Sequence, residues 1–378
     1  MKYLIPSSLL LLMSSLCADE VAQMQSQSMS RDPCCPPPKP CCPPKQDCIP
    51  PKCAQLVGGP KGEITPNAGP CVACGADLYL TVDFIYWTVR EDHLGFAYST
   101  GTNATAPVEG RISQLDFKME PGFKVGAGIL FDHDGWDIFA EYTWIRSRNV
   151  KGSADLEAGT VFLSAENWGF VDGTASGYDA NWSLHYFNVI DLELGRNFYV
   201  SRYLKLRPHF GFKGTWQKQF FNDDAATVIT SVAHTAFLRE KQFYWGFGIR
   251  AGLDAAFHFS RSFSTFGEIA VSGLWGQFED NRLNQEFVTA TGAFVAPVGG
   301  FNPRNVSSNF HTIKPVMEWM IGLRWETYTC DKEFHFAFEA AWEEQYWLGQ
   351  NQFISTSNEV RGGDLSFQGL TVKFRFDF

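Results

Sequence analysis

The sequence predicts an all-β protein, a transmembrane antiparallel up-and-down β-barrel that follows a disordered N-terminal segment rich in cysteine and proline. Apolar and polar residues alternate, as in the last run, where Leu370, Val372, Phe374, Phe376 and Phe378 are separated by polar residues. This period of two indicates a strand with one apolar face. Aromatic residues make up 15% of the chain, yet no apolar run after the N-terminus is long enough for a spanning helix. A barrel explains both, because lumen residues dilute its apolar ones.

The N-terminal part divides into two segments of different composition. Residues 1–18 are interpreted as a secretory signal peptide, with Lys2 in its basic region, a short apolar core from Leu4 to Leu12, and a cleavage site at Ala18. Residues 19–74 are interpreted as a Cys/Pro-rich periplasmic segment, since 12 of the 19 prolines lie between Pro33 and Pro70. Proline removes backbone donors, so this segment favours extended and turn conformations.

Residues 75–378 are predicted to form the barrel. Ten segments show clear alternation: 76–90, 122–131, 136–146, 182–196, 204–216, 243–259, 263–278, 313–327, 334–343 and 365–378. Three further segments, 108–119, 158–166 and 226–238, would raise the count to about 12–16 strands. Pro208 lies inside one predicted strand and predicts a bulge or a break there.

The connections predict an orientation. Short links near 132–135, 197–203, 260–262 and 328–333 alternate with long ones near 91–121, 147–181, 217–242, 279–312 and 344–364. Outer-membrane barrels have short periplasmic turns and longer surface loops. We therefore expect a bacterial outer-membrane location, with the N-terminal segment and the short turns in the periplasm and the long loops at the cell surface. Six tryptophans near the long-loop side are predicted to form an interfacial girdle: Trp87, Trp144, Trp182, Trp216, Trp245 and Trp275.

Several runs carry a family resemblance. The runs from Gly75 to Trp87 and from Arg90 to Ala97 resemble the first strand and loop of the major outer membrane proteins of chlamydia-like bacteria, with a related pattern in the Legionella protein. Residues 123–128 with Trp136-Asp137 are similar to the next two strands, and the Cys-Cys-Pro-Pro leader at 34–44 resembles those proteins too. The resemblance implies a porin for small solutes and ions that is also a cross-linked structural component of the cell envelope. Here the cysteines lie almost entirely ahead of the barrel, so cross-linking through surface loops is not supported.

Charged residues on the inward faces are the predicted functional surface. Sixteen are predicted to line the pore: Lys124, Asp137, Glu141, Asp191, Glu193, Lys205, Arg207, Lys213, Arg250, Asp254, Glu318, Arg324, Glu339, Glu343, Lys373 and Arg375. Such charges need water or partners. They would either create a transverse field that selects solutes or brace the wall as ion pairs. The sixteen hold equal numbers of acids and bases, but the complete inward set has an acidic excess that predicts weak cation preference; it adds Asp77, Asp83, Glu268, Lys314, Glu326 and Asp377.

Two local pairings are predicted from this pattern. Asp191 and Glu193 precede a short turn, and Lys205, Arg207 and His209 follow it, so they should face each other across the hairpin. Lys373 and Arg375 should lie between the acidic inward faces of residues 334–343 and 76–90, where the barrel closes.

The cysteines are candidates for disulfide bonds. If Cys17 leaves with the signal peptide, nine remain: Cys34, Cys35, Cys41, Cys42, Cys48, Cys53, Cys71, Cys74 and Cys330. An odd number requires a free thiol or a bond to another chain. The Cys71-Val72-Ala73-Cys74 spacing also suits a redox or metal pair, but it stands alone. We expect all nine to be periplasmic.

The remaining expectations concern partners and chemistry. Outer-membrane lipid, the barrel-assembly machinery (through Phe378 as its signal), and other envelope proteins or copies of the chain are the expected partners. The net charge of −10 argues against nucleic acid. No zinc-type histidine spacing or nucleophile elbow occurs, so no enzyme activity, cofactor or metal is expected. Two alternatives to the porin are kept: a structural envelope protein with a plugged pore, and an adhesin acting through its loops.

Overall fold

The computed structural model describes most of the predicted barrel. The described residues are 68–70, 72, 77–100, 111–131, 135–155, 161–164, 174–229, 232–288, 291, 293, 304–329, 333–354 and 362–378. The signal peptide, the Cys/Pro-rich segment up to residue 67, and the nine candidate disulfide cysteines lie outside the described residues.

Fourteen strands occur in the described ranges, and ten of them are long. In chain order they are β1 (Leu78–Glu91), β2 (Ala97–Thr100), β3 (Arg111–Ser113), β4 (Met119–Leu130), β5 (Trp136–Asp155), β6 (Val161–Ser164), β7 (Thr174–Arg196), β8 (Phe198–Tyr199), β9 (Leu204–Ile229), β10 (Val232–His258), β11 (Phe263–Val288), β12 (Arg304–Thr329), β13 (Phe334–Asn351) and β14 (Gly363–Asp377). In the part of the chain that the structure describes, no helix has the length and apolar character needed to cross a bilayer.

The ten long strands close into one antiparallel barrel. Each pairs with its neighbour along the chain, and the ring runs β1-β4-β5-β7-β9-β10-β11-β12-β13-β14 and back to β1. The closing ladder joins β1 to β14 from Tyr79↔Asp377 to Glu91↔Leu365. It continues past the strand ends, because Phe378 N donates to Leu78 O at 3.0 Å. The predicted fold class and the predicted seam are therefore confirmed.

The count of ten barrel strands is confirmed, and the extra strands are not part of the barrel. The described parts of 108–119 and 158–166 contribute only β3 and β6, which pair with β2 in a separate three-stranded sheet. Segment 226–238 holds the end of β9 and the start of β10. These short alternating runs lie within long connections or lengthen existing strands, so the larger strand number was wrong.

An apolar band surrounds the outside of the barrel, as the alternation predicts. On β1, Leu80, Val82 and Phe84 are exposed, and Val82 is 56% exposed. On β12, Ile313, Met317 and Ile321 have the same outward direction. Because apolar side chains cannot be left to water in such numbers, this band is the surface that lipid covers.

The strands extend beyond this band toward the long connections, which the sequence analysis did not predict. Most of segment 217–242, predicted as a long link, is instead ladder between β9 and β10. There the apolar outer band ends: Asp224 and Lys241 are exposed outside, and the inner face mixes the apolar Phe221 and Ala225 with the polar Asp223. Outside the bilayer, water covers the outer face, so outward positions need not be apolar and the period of two no longer tells the two faces apart.

The tryptophan girdle is only partly as predicted. Trp216 and Trp275 are exposed on the outside, and Trp144 and Trp245 are partly exposed on outward positions. Trp87 and Trp182 were wrongly assigned, since both are 0% exposed and lie inside the barrel. Each donates its indole N–H to an interior polar group, Trp87 to Thr371 Oγ1 at 3.1 Å and Trp182 to Gln219 Oε1 at 3.1 Å.

Pro208 produces a break on one side of β9 only. The β9–β10 register runs unbroken through Leu253↔Pro208. The ladder to β7 ends at Gly195↔His209 and resumes as the short β8 pairing at Phe198↔Leu206. The missing N–H therefore falls where the neighbouring chain already leaves the ladder.

Candidate functional site

One cavity occupies the barrel interior near the short turns. All sixteen charged residues named above contribute to its lining. The cavity has a volume of about 140 Å³, which is room for several waters. Whether these residues line a conducting pore stays a prediction; the structure places them around one polar space.

Arg207 is the centre of the charge network on β9. Its guanidinium contacts three carboxylates, Asp137 at 2.8 Å, Glu193 at 3.0 Å and Asp254 at 2.9 Å. These acids come from β5, β7 and β10, so one side chain ties four strands together. The planar guanidinium, with five fixed donors, is suited to this multiple pairing.

A second group of ion pairs lies next to it. Lys213 Nζ is 2.7 Å from Asp191 and 2.8 Å from Glu318. Arg250 bonds to Glu193 at 3.1 Å and also pairs with Glu318. Because β9 and β12 are three steps apart in the ring, the Lys213–Glu318 pair crosses part of the lumen rather than following the wall.

Lys124 and Lys373 connect the opposite part of the wall. Lys124 Nζ lies 2.7 Å from Glu343 and 3.6 Å from Glu141. Lys373 is 3.5 Å from Asp83 and 3.9 Å from Glu141. These pairs join β4, β5, β13, β14 and β1, so the network extends across the closing seam.

The predicted pairings are correct in type and partly wrong in partner. Glu193 does meet Arg207 and lies 3.5 Å from His209. Asp191 pairs instead with Lys213, since the ladder register is Asp191↔Lys213. The pairing with β9 continues beyond β7 through β8, to Tyr199↔Lys205. The turn therefore lies further along the chain than the pattern suggested, and the facing residues shift. Lys205 has no ion pair among the described residues.

At the seam, only Lys373 pairs as expected. Arg375 turns to Asp377 on its own strand at 2.6 Å, and its guanidinium lies 3.8 Å from the Tyr79 ring centre. Asp377 also contacts His335 Nδ1 at 2.6 Å.

Above the cavity, toward the long connections, aromatic side chains fill the lumen. Phe187 on β7 lies 5.2 Å, between ring centres, from Trp347 on β13 and 4.4 Å from Phe367 on β14. In the ring of ten strands, β7 and β13 are five steps apart in either direction. Their side chains therefore meet across the full diameter, and this apolar layer closes the barrel at that level.

A segment that continues from β13 folds inward beyond the apolar layer. It comprises residues 349–354 and begins at Gly349, whose φ of 63° suits glycine. Gln350 and Asn351 are fully buried, and so is Phe353 at 1% exposure. We call residues 349–354 the inward segment.

Hydrogen bonds from several strands hold the inward segment. Gln242 on β10 donates to Gln350 O at 2.8 Å and accepts from Gln352 N at 2.7 Å. Gln350 reaches Gln217 on β9 at 3.2 Å, and Arg282 on β11 bonds to Ile354 O. The segment thus spans the lumen as a second closure.

Two buried acids lie near this closure, beyond the apolar outer band. Both oxygens of Asp280 are buried without a hydrogen-bond donor in the described ranges, and the carboxyl of Glu91 is buried beside the Gln219 amide. Burial raises the pKa of Asp280 to about 8, reinforced by Glu240 and opposed by Lys314. Burial likewise raises the pKa of Glu91 well above its usual range. Lys314 in turn donates to Gly349 O of the inward segment.

Sequence reasoning missed both closures. The signal was present in β14, where inward positions change from Lys373 and Thr371 to the apolar Phe367 and Leu365. A polar lumen predicts polar residues at such positions, so apolar ones indicate a filled level. The inward fold of residues 349–354 carries no comparable periodic signal.

Known proteins place this barrel in a family. The family model of the Legionella pneumophila major outer membrane protein precursor matches residues 69–378. No curated protein sequence matches the chain at a significant level.

Solved barrels are similar only in general form. The outer membrane protease OmpT from Escherichia coli shares 12% identity at a TM-score of 0.42, covering 81% of this chain and 98% of its own. A Pseudomonas aeruginosa FadL homologue shares 8% identity at a TM-score of 0.26, and the match covers 80% of this chain and 89% of the homologue. The attachment protein Ail of Yersinia pestis shares 9% identity at a TM-score of 0.23, and the match covers 79% of this chain and 97% of Ail. These values carry no argument about activity.

The family match covers the whole barrel, and the barrel has the closed ring and apolar outer band that a lipid bilayer requires. The chain is an outer-membrane β-barrel that belongs to the Legionella pneumophila major outer membrane protein family.

Proposed function

We propose that this protein is a structural barrel of the outer membrane whose lumen is closed at rest. The observation that carries the proposal is the Phe187–Trp347 contact across the full diameter. Ten strands lie near the number at which side chains fill a barrel. No catalytic activity is part of the proposal.

The charge network supports a bracing role. Arg207 joins three carboxylates, and Lys213 and Lys124 each join two. Ions that are already paired and desolvated offer a passing solute little free charge, whereas they hold neighbouring strands at fixed separations. The wall-bracing alternative therefore explains more of these contacts than a selectivity constriction does.

A diffusion porin for small polar solutes and ions is the second candidate. The polar, charged cavity favours it, because a purely structural core gains nothing from room for water. The closures above it are side chains and the inward segment, whose one pairing in the barrel ladder joins Asn351 to Gly363, so they can move while the rest of the ladder stays intact. In this role the protein would conduct only after those groups are displaced.

Orientation and cross-linking are further parts of the proposal. The short connections would face the periplasm, as in other outer-membrane barrels. The cysteines at 34–74 and Cys330 would then form disulfides on that side, within the chain or with neighbouring chains. Identical migration of the protein on reducing and non-reducing gels of envelope fractions would count against the intermolecular bonds.

Single-channel recording from the refolded barrel in planar bilayers tests the closed lumen. We expect no steady conductance from the wild-type protein. The double variant Phe187→Ala/Trp347→Ala removes the contact across the diameter, and it should conduct once Gln242→Ala and Gln350→Ala also release the inward segment. The matched control is Phe212→Ala/Phe247→Ala, which removes a stacked pair on the outer surface with ring centres 5.5 Å apart.

Each outcome has a clear reading. Steady wild-type conductance overturns the structural proposal and favours the porin. Conductance from the outer control equal to that of the lumen variant would show that loss of stability, not opening of the layer, causes the leak. A silent lumen variant that retains the folded, heat-modifiable form would show that the inward segment alone closes the barrel; this closure is tested by combining the variant with Gln242→Ala and Gln350→Ala.

A further inference from the structure

A group of basic side chains lies on the outer surface at the loop end of the barrel. It consists of Arg146 and Arg148 on β5, His185 on β7, Lys218 on β9 and Lys241 on β10. These strands are consecutive in the ring. We call these five residues the basic patch.

The patch lies directly beyond the outward tryptophans. Arg146 follows Trp144 by one outward position on β5, and Lys218 follows Trp216 in the same way on β9. Tryptophans on the outer surface mark the level where acyl chains give way to headgroups. The basic patch is therefore at headgroup level, on the side of the long connections.

The cations of the patch lack carboxylate partners. Within the described residues, neither arginine and neither lysine of the patch forms an ion pair. Arg146 Nη2 lies 3.4 Å from His185 Nδ1, and its Nε is buried without an acceptor. Lys218 lies over the Phe220 ring at 5.0 Å. Four cations on neighbouring strands without a carboxylate partner favour an anion from outside the chain.

Neighbouring cations show that pairing was available on this surface. Arg239, further along β10, pairs with Asp224 of β9 at 2.5 Å. Arg90 on β1 pairs with Asp92 at 3.1 Å. The closest outward acid along the next strand is Glu279 on β11, opposite Phe243 rather than Lys241. Other cations of the described residues also form no ion pair, such as Lys205 in the lumen and Arg202 and Arg261 in the short turns, but the patch gathers four of them on neighbouring strands of the outer wall at one level.

We propose that the basic patch binds the phosphate groups of a phosphorylated lipid headgroup in the leaflet at the loop end. Arginine offers paired donors to phosphate oxygens, and lysine adds a mobile point charge. The flanking aromatic rings, Phe220 and Trp216, would contact the apolar part of the same lipid. This site lies on the outer wall, so it does not depend on whether the lumen conducts.

Native mass spectrometry of the refolded full-length barrel tests the site. The probe is a bis-phosphorylated glycolipid of the lipid A type, compared with the same lipid after removal of its phosphates. The test variant is Lys218→Gln/Lys241→Gln, and a second is Arg146→Gln/Arg148→Gln. The matched control is Arg90→Gln/Arg239→Gln, which removes two cations of the same surface that already have carboxylate partners. Heat-modifiable gel mobility verifies that each variant is folded.

We expect the wild-type barrel and the control to retain the phosphorylated lipid. Each patch variant should bind it at least about tenfold more weakly, given the contribution of a basic residue near an anionic surface. The dephosphorylated lipid should bind weakly to all forms. Equal retention of the two lipids, or an equal loss in the control, overturns the proposal. Displacement of the lipid by millimolar inorganic phosphate would assign the site to free anions and would also overturn it.

Discussion

Around the interior cavity, seven of the eight lysines and arginines form ion pairs, whereas the four on the outer basic patch form none among the described residues. The same residue types thus occur in opposite electrostatic states a few strand positions apart. Inside, few waters are available, so an unpaired ion would lower the free energy of unfolding by roughly several kcal/mol. Outside, water or a headgroup can solvate the charge, so pairing within the chain is not required.

The contrast indicates which charges belong to the fold and which are open to partners. Removing an interior cation leaves buried carboxylates without compensation, whereas removing an outer one leaves nothing buried. Stability should therefore follow the interior set, and interactions with other molecules should follow the outer set. Three predictions test this division, from the largest expected effect to the smallest.

The largest effect is expected from Arg207→Gln. It leaves Asp137, Glu193 and Asp254 without their shared partner and should lower the free energy of unfolding by about 3–5 kcal/mol. Urea unfolding of the refolded barrel, followed by tryptophan fluorescence, measures this. The control Lys241→Gln should stay within about 0.5 kcal/mol of wild type. Equal effects of the two substitutions would contradict the division between interior and outer cations.

An intermediate effect is expected from the tryptophans. Trp182→Phe removes the hydrogen bond to Gln219 at 3.1 Å in a fully buried site, so it should cost about 1–3 kcal/mol. Trp275→Phe changes an outward residue that is 53% exposed and should cost less than about 1 kcal/mol. Unfolding in the same bilayer-mimetic system compares them. A larger loss of unfolding free energy for Trp275→Phe than for Trp182→Phe would show that the outward tryptophan stabilises the barrel more than the buried one.

The smallest effect, taken per pH unit, is a pH dependence from Asp280. Its pKa rises from the usual 3.8 to about 8 on folding, so between these values the folded state binds more protons than the unfolded state. Stability should then fall as pH rises from about 4 to 8, by at most about 1.4 kcal/mol per pH unit. Glu240, Lys314 and Arg282 are the charged groups around it.

The Asp280→Asn variant supplies the control for this pH dependence. The amide cannot ionise, so its unfolding free energy should change less between pH 5 and 8 than that of wild type. An identical pH profile for the two proteins would show that Asp280 is ionised or hydrated in the folded barrel.

Much of the barrel could be predicted from the sequence, because the bilayer imposes a simple rule at each level. Outward residues such as Val82 and Ile321 must be apolar where lipid surrounds them, and the period of two then identifies the strand and its inward face. That rule also identified the sixteen charged residues around the cavity. It failed beyond the bilayer, where water surrounds the wall and both faces carry polar as well as apolar residues.

By itself, the sequence determined the fold class, the ten strands, the seam between β14 and β1, and the charged side chains that point into the cavity, since all of these follow from local alternation. Only the tertiary structure decided which inward side chains meet. The register that joins Asp191 to Lys213 depends on the length of a turn. The contact of Phe187 with Trp347 depends on the barrel diameter, and the inward segment depends on space left between strands far apart in the chain. These are distances across the closed ring, and no local pattern encodes them.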